Sequence, residues 1–108
     1  MNKCEIWLVE MPETDGHEQS GPRPVMILAD TISNIAVVIP FTSNVQSLRF
    51  PHTLEVEPSK ENGLFGKSIA LVFQIRAIDK KRMKKKIGRI ESGLAKKIDN
   101  MLKNLLQN

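Results

Sequence analysis

Two uninterrupted apolar runs, joined by one short polar segment, constrain the fold of this 108-residue chain more than any other feature. The runs are residues 25–29 and 35–39, and the five residues 30–34 lie between them. Continuous apolar runs of this length, bounded by turn residues, are typical of strands that are buried on both faces, and a connection of this size suits a hairpin. The sequence therefore predicts a central antiparallel hairpin, in the core of a single domain spanning residues 1–108.

Three further strands and two helical segments are predicted around this hairpin, which gives five strands in all. Residues 4–9 and 68–73 are rich in strand-forming side chains, and residues 53–57 alternate strictly between polar and apolar. Asp79 is expected to cap a short basic helical turn, and Ser92 a longer helix with one apolar stripe. That stripe consists of Leu94, Ile98, Met101, Leu102 and Leu105. The pattern is typical of a mainly β fold with a C-terminal helix, either a small twisted antiparallel sheet or a partly open barrel.

Charge is divided unevenly along the chain. Residues 1–75 carry five basic and nine acidic side chains, whereas residues 76–108 carry eleven basic and three acidic ones. The formal net charge of the whole chain is +4. We interpret the basic run at residues 80–89 as a solvated face that attracts an anionic partner, either RNA phosphate or an acidic protein segment.

Several classes of protein are not indicated by the sequence. The longest apolar runs are far shorter than the ~20 residues that cross a bilayer, so no membrane span is expected. The first residues lack the apolar core of a secretory signal, and the single cysteine, Cys4, permits no intramolecular disulfide, so a cytoplasmic setting is expected. His17 and His52 have no ligand-forming neighbours in the sequence, and no metal or cofactor is predicted. Phosphate-binding glycine loops, zinc-protease motifs and the serine-hydrolase elbow are missing too.

Four segments stand in a characteristic order along the chain. They are residues 5–9 (EIWLV), 16–24 (GHEQSGPRP), 40–44 (PFTSN) and 71–79 (LVFQIRAID). In this order, and on this strand pattern, they resemble the MazF/PemK family of toxin endoribonucleases. The resemblance implies an SH3-like barrel, a homodimer, neutralisation by a cognate antitoxin, and metal-independent cleavage of single-stranded RNA at short sequences.

The same resemblance implies which residues form the site. Arg23 and Thr42 match the family's Arg-Pro and Pro-x-Thr motifs, to which its catalysis is attached, so both are predicted to be catalytic. Some relatives instead place a catalytic Arg and Asp in the last strand, but those positions hold Leu71 and Phe73 here. The residues predicted to contact RNA are His17, Glu18, Gln19, Ser43, Asn44 and Gln74.

The chemistry of RNA cleavage suits an arginine and a hydroxyl. The 2′-OH of RNA is itself the nucleophile, so a protein can act by orienting the strand and neutralising the phosphate. An Arg fork matches phosphate oxygens, and a Thr hydroxyl can donate a second hydrogen bond. Because arginine stays protonated, the general base is left open, with His17 as an auxiliary group. Phe41 and Phe50 are the aromatic residues expected to stack on bases.

Two other classes of function stay open at this point. A related toxin fold, of the CcdB type, binds DNA gyrase and carries out no chemistry of its own. A non-catalytic SH3-like module would bind RNA through its basic segment, with an affinity that depends strongly on salt. The presence of both Arg23 and Thr42 argues against the gyrase-binding alternative, whereas RNA binding without any cut product would favour the non-catalytic module.

Overall fold

Seven strands and one helix form the part of the chain that the structure, a computed structural model, describes, namely residues 1–10 and 22–107. In chain order these elements are β1 (Glu5–Val9), β2 (Arg23–Asp30), β3 (Ile35–Thr42), β4 (Thr53–Val56), β5 (Ser68–Leu71), β6 (Arg76–Asp79), β7 (Met83–Arg89) and α1 (Ser92–Leu106). All strand pairs are antiparallel, in the order β4-β5-β3-β2-β1-β7, with β6 also paired to β3. The predicted fold class, an antiparallel sheet or open barrel with a C-terminal helix, is confirmed, with seven strands in place of five.

The hairpin predicted from the two apolar runs is formed by β2 and β3. Their register places Met26 opposite Ile39 and Ile27 opposite Val38. Neighbouring residues of a strand face opposite sides of the sheet, and both sides are covered here. Met26 and Ile39 belong to a first apolar cluster, which includes a residue of α1, whereas Ile27 and Val38 belong to a second cluster with Val9 of β1. Burial on both faces explains why the runs are apolar along most of their length, whereas Ala29 and Ile35, next to the turn, are exposed.

Residues 68–73 do not form the single strand that their composition predicts. β5 ends at Leu71, and a 3₁₀ turn, Val72–Gln74, leads into β6. β5 pairs with the end of β3, at Phe41 and Thr42, whereas β6 pairs with the beginning of β3. The turn carries the chain from one half of β3 to the other, so the predicted strand is shorter and a further strand follows it.

The basic run at residues 80–89 contains a strand and is therefore more than the solvated face that its composition suggested. Asp79 caps the predicted short basic turn, Lys80–Arg82, with its carboxylate accepting from the Lys81 amide at 2.9 Å. β7 follows at once and pairs with β1 over the length of β1. It lies at one end of the strand order, where lysine side chains are common because they discourage pairing with strands of other molecules.

A buried carboxylate ties β1 to β7. Glu5 is 6% exposed, and its carboxylate accepts hydrogen bonds from Trp7 Nε1 at 3.0 Å and Asn2 Nδ2 at 3.3 Å. Lys86 Nζ, on β7, lies 3.2 Å from the same carboxylate. These partners, above all the Trp7 indole, outweigh the effect of burial and lower the pKa of Glu5 to about 2. The carboxylate therefore stays ionised in the folded chain down to strongly acidic pH.

The C-terminal helix has the predicted apolar stripe but starts differently from the prediction. Glu91 occupies the N-cap position, and Ser92 is the first helical residue, so the prediction that Ser92 caps the helix is wrong. The physical reason is that Glu91 continues the extended backbone that leaves β7, and the helical conformation begins at the next residue. Ile98 is fully buried in the first apolar cluster, and three other stripe residues pack against that cluster, namely Leu94, Met101 and Leu102. No helix within the described ranges has the length and hydropathy needed to cross a membrane.

A fully buried asparagine organises the segment between β4 and β5. Asn62 Oδ1 accepts from the amides of Ser59 and Leu64, both at 3.0 Å, and Nδ2 donates to the Glu57 carbonyl at 2.9 Å. Asn62 Nδ2 also donates to the Glu91 carboxylate, at 3.3 Å. The same carboxylate accepts a hydrogen bond from the Ser59 hydroxyl at 2.7 Å. Burial alone would raise the pKa of Glu91. The hydrogen bonds from Ser59, from the backbone of Glu91 itself and from Asn62 together outweigh burial, so the pKa of Glu91 is lowered. We call Ser59, Asn62 and Glu91 the Asn62 network.

Two glycines hold the Asn62 network against β7. Gly63 has a φ of +70°, and a Cβ atom there would lie 1.9 Å from the carbonyl oxygen of Ile87. A Cβ atom on Gly88 would lie 2.4 Å from the backbone carbonyl of Asn62. Both contacts require residues without a side chain. They fix the chain just before residues 65–68, which line the pocket described below.

Candidate active site

The register of the β2–β3 hairpin brings the two residues predicted to be catalytic to one place. Val25 opposite Pro40 is the last β2–β3 pair at this end of the hairpin. Extending that register by two residues, past the last pair, puts Arg23 level with Thr42. Opposed residues of an antiparallel pair present their side chains on one face, with Cβ atoms about 4.5–5.5 Å apart. Arg23 and Thr42 are distant in sequence, but they lie side by side at the end of the hairpin away from its turn.

Both residues line one pocket of about 170 Å³ at this end of the hairpin. Three segments form its walls: residues 22–24 at the start of β2, residues 41–43 at the end of β3, and residues 65–68, which lead into β5. We refer to it as the hairpin-end pocket. Its position follows from the strand order, since β3 pairs with β2 on one side and with β5 on the other.

Arg23 enters this pocket from a stiff stretch of backbone. Pro22 and Pro24 flank it and also line the pocket, and the proline ring fixes φ at each of these two positions. Arg23 lies opposite Val9 of β1 in the sheet, which holds its backbone in place. The side chain is half-buried. A guanidinium fork with a restrained base is suited to binding phosphate oxygens with two hydrogen bonds.

Thr42 and Ser43 supply hydroxyl groups on the facing wall. Thr42 Oγ1 accepts a hydrogen bond from the Asn44 amide at 3.2 Å, and its own proton can then be donated to a ligand. Ser43 is exposed and lines the pocket beside it. Asn44 is not one of the lining residues: its Oδ1 accepts from the Gln46 amide at 3.0 Å and caps the 3₁₀ turn Val45–Arg49.

The remaining residues predicted to contact RNA are either away from this pocket or outside the described ranges. Gln74 is exposed in the 3₁₀ turn between β5 and β6, and it does not line the pocket. His17, Glu18 and Gln19 lie outside the residues that the structure describes. A role for these four residues in RNA binding stays a prediction.

The exposed aromatic residue of the pocket is Phe65, which the sequence patterns did not indicate. Its side chain is 83% exposed and lines the pocket with Arg23 and Thr42. The sequence signal for it is weak: a phenylalanine in a short turn that contains both Gly63 and Gly66. Such turns lie at the surface, where an aromatic side chain is available to a ligand.

The two aromatic residues that were predicted to stack on bases are placed differently. Phe41 borders the pocket but is only 2% exposed, because it belongs to the first apolar cluster, so it presents no ring face to a base and the prediction is wrong. Phe50 is exposed but does not line the pocket; its ring centroid is 5.7 Å from that of Phe73 and 5.1 Å from the guanidinium of Arg49. A stacking role for Phe50 stays a prediction.

Lys67 adds a second positive charge to the pocket, which sequence patterns also missed. Lys67 Nζ lies 3.4 Å from the Glu55 carboxylate and 3.7 Å from that of Glu57. All three side chains are substantially exposed, and exposed ion pairs of this kind typically contribute less than about 1 kcal/mol. A bound phosphate can therefore compete with these carboxylates for the Lys67 ammonium.

The fold and the pocket define a small open-barrel protein with an arginine and a hydroxyl side by side, an arrangement suited to acting on a phosphate. The family profile of the PemK-like, MazF-like toxin of type II toxin–antitoxin systems matches residues 2–106. Endoribonuclease EndoA of Bacillus subtilis strain 168 is 30% identical over 106 residues, which cover 94% of this chain and 90% of that protein. The chain therefore belongs to the PemK/MazF family of toxins.

Solved structures are similar in fold. MazF from Deinococcus radiodurans has a TM-score of 0.77 at 18% identity, with 100% of this chain and 97% of that chain covered. An endoribonuclease from a mycobacterial species, solved in complex with its cognate antitoxin, has a TM-score of 0.70 at 17% identity, with 96% and 92% covered. The predicted family and the predicted endoribonuclease class are confirmed, and the gyrase-binding and non-catalytic alternatives are not favoured.

Proposed function

We propose that this endoribonuclease toxin cuts single-stranded RNA in the hairpin-end pocket, with Arg23 and Thr42 acting on the scissile phosphate. The observation that carries the proposal is that the end of the β2–β3 hairpin brings Arg23 and Thr42 into one pocket. The Arg23 guanidinium supplies positive charge and two hydrogen-bond donors, and the Thr42 hydroxyl supplies a third donor.

The reaction is a transesterification within the RNA. The 2′-oxygen attacks the adjacent phosphorus and loses its proton, while the bond from phosphorus to the 5′-oxygen breaks and that oxygen gains a proton. The products are a 2′,3′-cyclic phosphate and a free 5′-OH. Arg23 binds the non-bridging oxygens, where negative charge grows in the transition state, and Thr42 donates a hydrogen bond to the same phosphate. Arg23 acts through its charge and not as the base, because a guanidinium keeps its protons.

A single-stranded substrate follows from the geometry of the attack. The 2′-oxygen must align with the bond that breaks, and the stacked A-form duplex does not offer that alignment. The pocket, at about 170 Å³, is also of a size to take part of one nucleotide and not a duplex. DNA lacks the 2′-OH and is expected to bind without being cut.

We further propose a cognate antitoxin as partner, a homodimer as the assembly and the cytoplasm as the location. The antitoxin proposal is supported by the mycobacterial structure of similar fold, which was solved with its own antitoxin. The excess of basic side chains in residues 76–108 would attract an acidic antitoxin segment. The cytoplasm is where an RNA-cutting toxin meets both its substrate and its antitoxin.

The test is cleavage of a long mixed-sequence RNA by the purified protein in EDTA, with the ends mapped. We expect cuts at discrete sites, with 5′ ends that polynucleotide kinase labels directly. Within the described ranges no group of three or more His, Cys, Asp and Glu side chains is arranged to hold a metal ion, and EDTA tests the requirement directly. Cleavage that requires Mg²⁺, or that leaves 3′-OH ends, would overturn the mechanism, and inhibition of gyrase supercoiling without RNA cleavage would favour the CcdB-type alternative.

The site is tested by Arg23→Ala, for which we expect at least a 100-fold loss of cleavage, about the effect of removing one preorganised donor to a transition-state oxyanion. Arg89→Ala is the matched control, since Arg89 is an exposed strand arginine that pairs with the opposite end of β1. It removes the same charge and should leave cleavage within about threefold. Equal losses in the two variants would mean that bulk charge, and not the hairpin-end pocket, determines the activity.

A further inference from the structure

Phe65 is exposed although the chain on both sides of it is anchored. Leu64 is 6% exposed, and its amide donates to Asn62 Oδ1 at 3.0 Å. Ser68 is 8% exposed, and its hydroxyl donates to the Gly66 carbonyl at 3.0 Å. The ring is therefore held out by a turn that is fixed at both ends, and its exposure contributes nothing to the apolar core.

The position of Phe65 distinguishes it from other exposed apolar residues, which are ordinary on protein surfaces when they stand alone. Ile32 is even more exposed than Phe65, but it lies in the β2–β3 turn, at the opposite end of the hairpin from Arg23 and Thr42. Phe65 instead borders the pocket that holds these two residues. An apolar ring beside a phosphate-binding arginine matches the two chemically different parts of a nucleotide, its base and its phosphate.

We propose that Phe65 is a stacking platform for an unpaired nucleobase next to the phosphate held by Arg23. The identity of that phosphate as the scissile one rests on the proposed function. Every base has a π-face, so the platform contributes to affinity and orientation for many sequences. Phe65 therefore acts mainly on KM, and Arg23 mainly on kcat.

The first experiment measures binding on RNA that cannot be cut. The probe is a short mixed-sequence RNA with 2′-O-methyl groups throughout, labelled for fluorescence anisotropy. We expect Phe65→Ala to weaken binding about 10-fold. Phe65→Leu should weaken it nearly as much, because leucine keeps the apolar volume but lacks a π-face. Phe65→Trp keeps a π-face and should change binding less than about threefold. Ile32→Ala is the control and should bind as the wild type does. Unchanged binding in Phe65→Ala, or full binding in Phe65→Leu, would overturn the stacking role.

The second experiment uses the Phe65→Trp variant as its own reporter. A base stacked on the indole should quench its fluorescence when the RNA is added. Trp7 is the background, measured in the wild type, since it is the one tryptophan of the sequence and its indole is bonded to Glu5. An emission change no larger than that of the wild type would show that no base reaches position 65.

Cleavage kinetics separate this proposal from the proposed function. We expect Phe65→Ala to raise KM about 10-fold and to change kcat less than about threefold. A wild type that binds RNA but cuts none would refute the proposed function and leave the stacking result standing. If the wild type cuts RNA and Phe65→Ala has the same KM as the wild type, the stacking role alone is refuted. A variant that cuts normally but escapes its antitoxin would assign Phe65 to the protein partner and also overturn the proposal.

Discussion

Two groups of polar side chains in this molecule are used in opposite ways. In the Asn62 network, Asn62 is fully buried and both polar atoms of its side chain are bonded to groups of the chain itself. In the hairpin-end pocket, Arg23 is half-buried beside Thr42, and Lys67 forms weak exposed ion pairs. The first group stabilises the fold, and the second is directed at solvent, where a substrate can reach it.

This difference implies that stability and activity can be changed separately. Removing a partner from a buried network leaves other polar groups without a hydrogen bond, which destabilises the folded state. Removing a side chain that faces solvent costs little stability, and at the proposed site it is expected to remove a contact with the substrate. The glycines at positions 63 and 66, the buried Glu5 and the turn residue Asn44 offer three ways to test that separation.

The largest effect is expected for Gly63→Ala. The substitution places a side chain at a φ of +70° and a Cβ atom 1.9 Å from the Ile87 carbonyl oxygen, and we expect it to lower the free energy of unfolding by about 4 kcal/mol. Gly66→Ala is the control, because a Cβ there would have nothing within 4 Å, and its effect should be within about 0.5 kcal/mol. Urea unfolding measures both. Equal stabilities would show that the contact with β7 does not fix the Asn62 network.

A smaller effect, dependent on pH, is expected from Glu5. Its pKa in the folded chain is about 2, below the ordinary value of 4.5, so its contribution to stability is fully present above pH 4.5 and is lost as the pH falls towards 2. With allowance for the exposed Lys86, we expect this contribution to be about 2 kcal/mol.

The measurement is urea unfolding of the wild type and Glu5→Gln between neutral and acidic pH. The two stability curves should differ most at neutral pH and converge below pH 4.5. Curves that run parallel across this range would exclude Glu5 as a source of acid sensitivity. RNA cleavage at neutral pH should be the same in both proteins, because Glu5 does not line the hairpin-end pocket.

The smallest effect is expected at Asn44, which combines a structural role with a predicted role in RNA binding. Its Oδ1 caps the 3₁₀ turn after β3, while the sequence predicts that it contacts RNA. Asn44→Ala should lower the free energy of unfolding by about 1 kcal/mol, and Asn44→Ser, which retains a capping oxygen, should restore it. If Asn44 acts only as a cap, any loss of cleavage in Asn44→Ala should be reversed in Asn44→Ser together with the loss of stability. A raised KM that persists in Asn44→Ser would instead place the Asn44 amide at the RNA.

The central hairpin, and the placement of Arg23 and Thr42 at one end of it, could be predicted because their signals are local. Continuous apolar runs report burial on both faces, and the hairpin register then follows from the length of the turn. The Arg-Pro and Pro-x-Thr motifs lie at the ends of the two strands, so the hairpin that pairs Met26 with Ile39 also brings Arg23 and Thr42 into one pocket. The apolar runs and the motifs at their ends are local in sequence, and the hairpin that they form is what brings Arg23 and Thr42 together.

The features that could not be predicted depend on contacts between distant parts of the chain. Residues 83–89 have three consecutive lysines and no alternation, and they form a strand because β1 pairs with them. The exposure of Phe65 depends on Leu64 and Ser68, which are buried on either side of it. Phe41 was misplaced for the same reason, since its burial follows from the first apolar cluster and not from its neighbours in sequence.

The three-walled construction of the hairpin-end pocket has a consequence for how the protein is made. Arg23 and Thr42 leave the ribosome early, but the wall formed by residues 65–68 is synthesised more than twenty residues after Thr42. A nascent chain that stops before β5 carries the two central residues without the third wall. Products of translation interrupted before this wall therefore lack a complete pocket, which can close only after residue 68 has been synthesised.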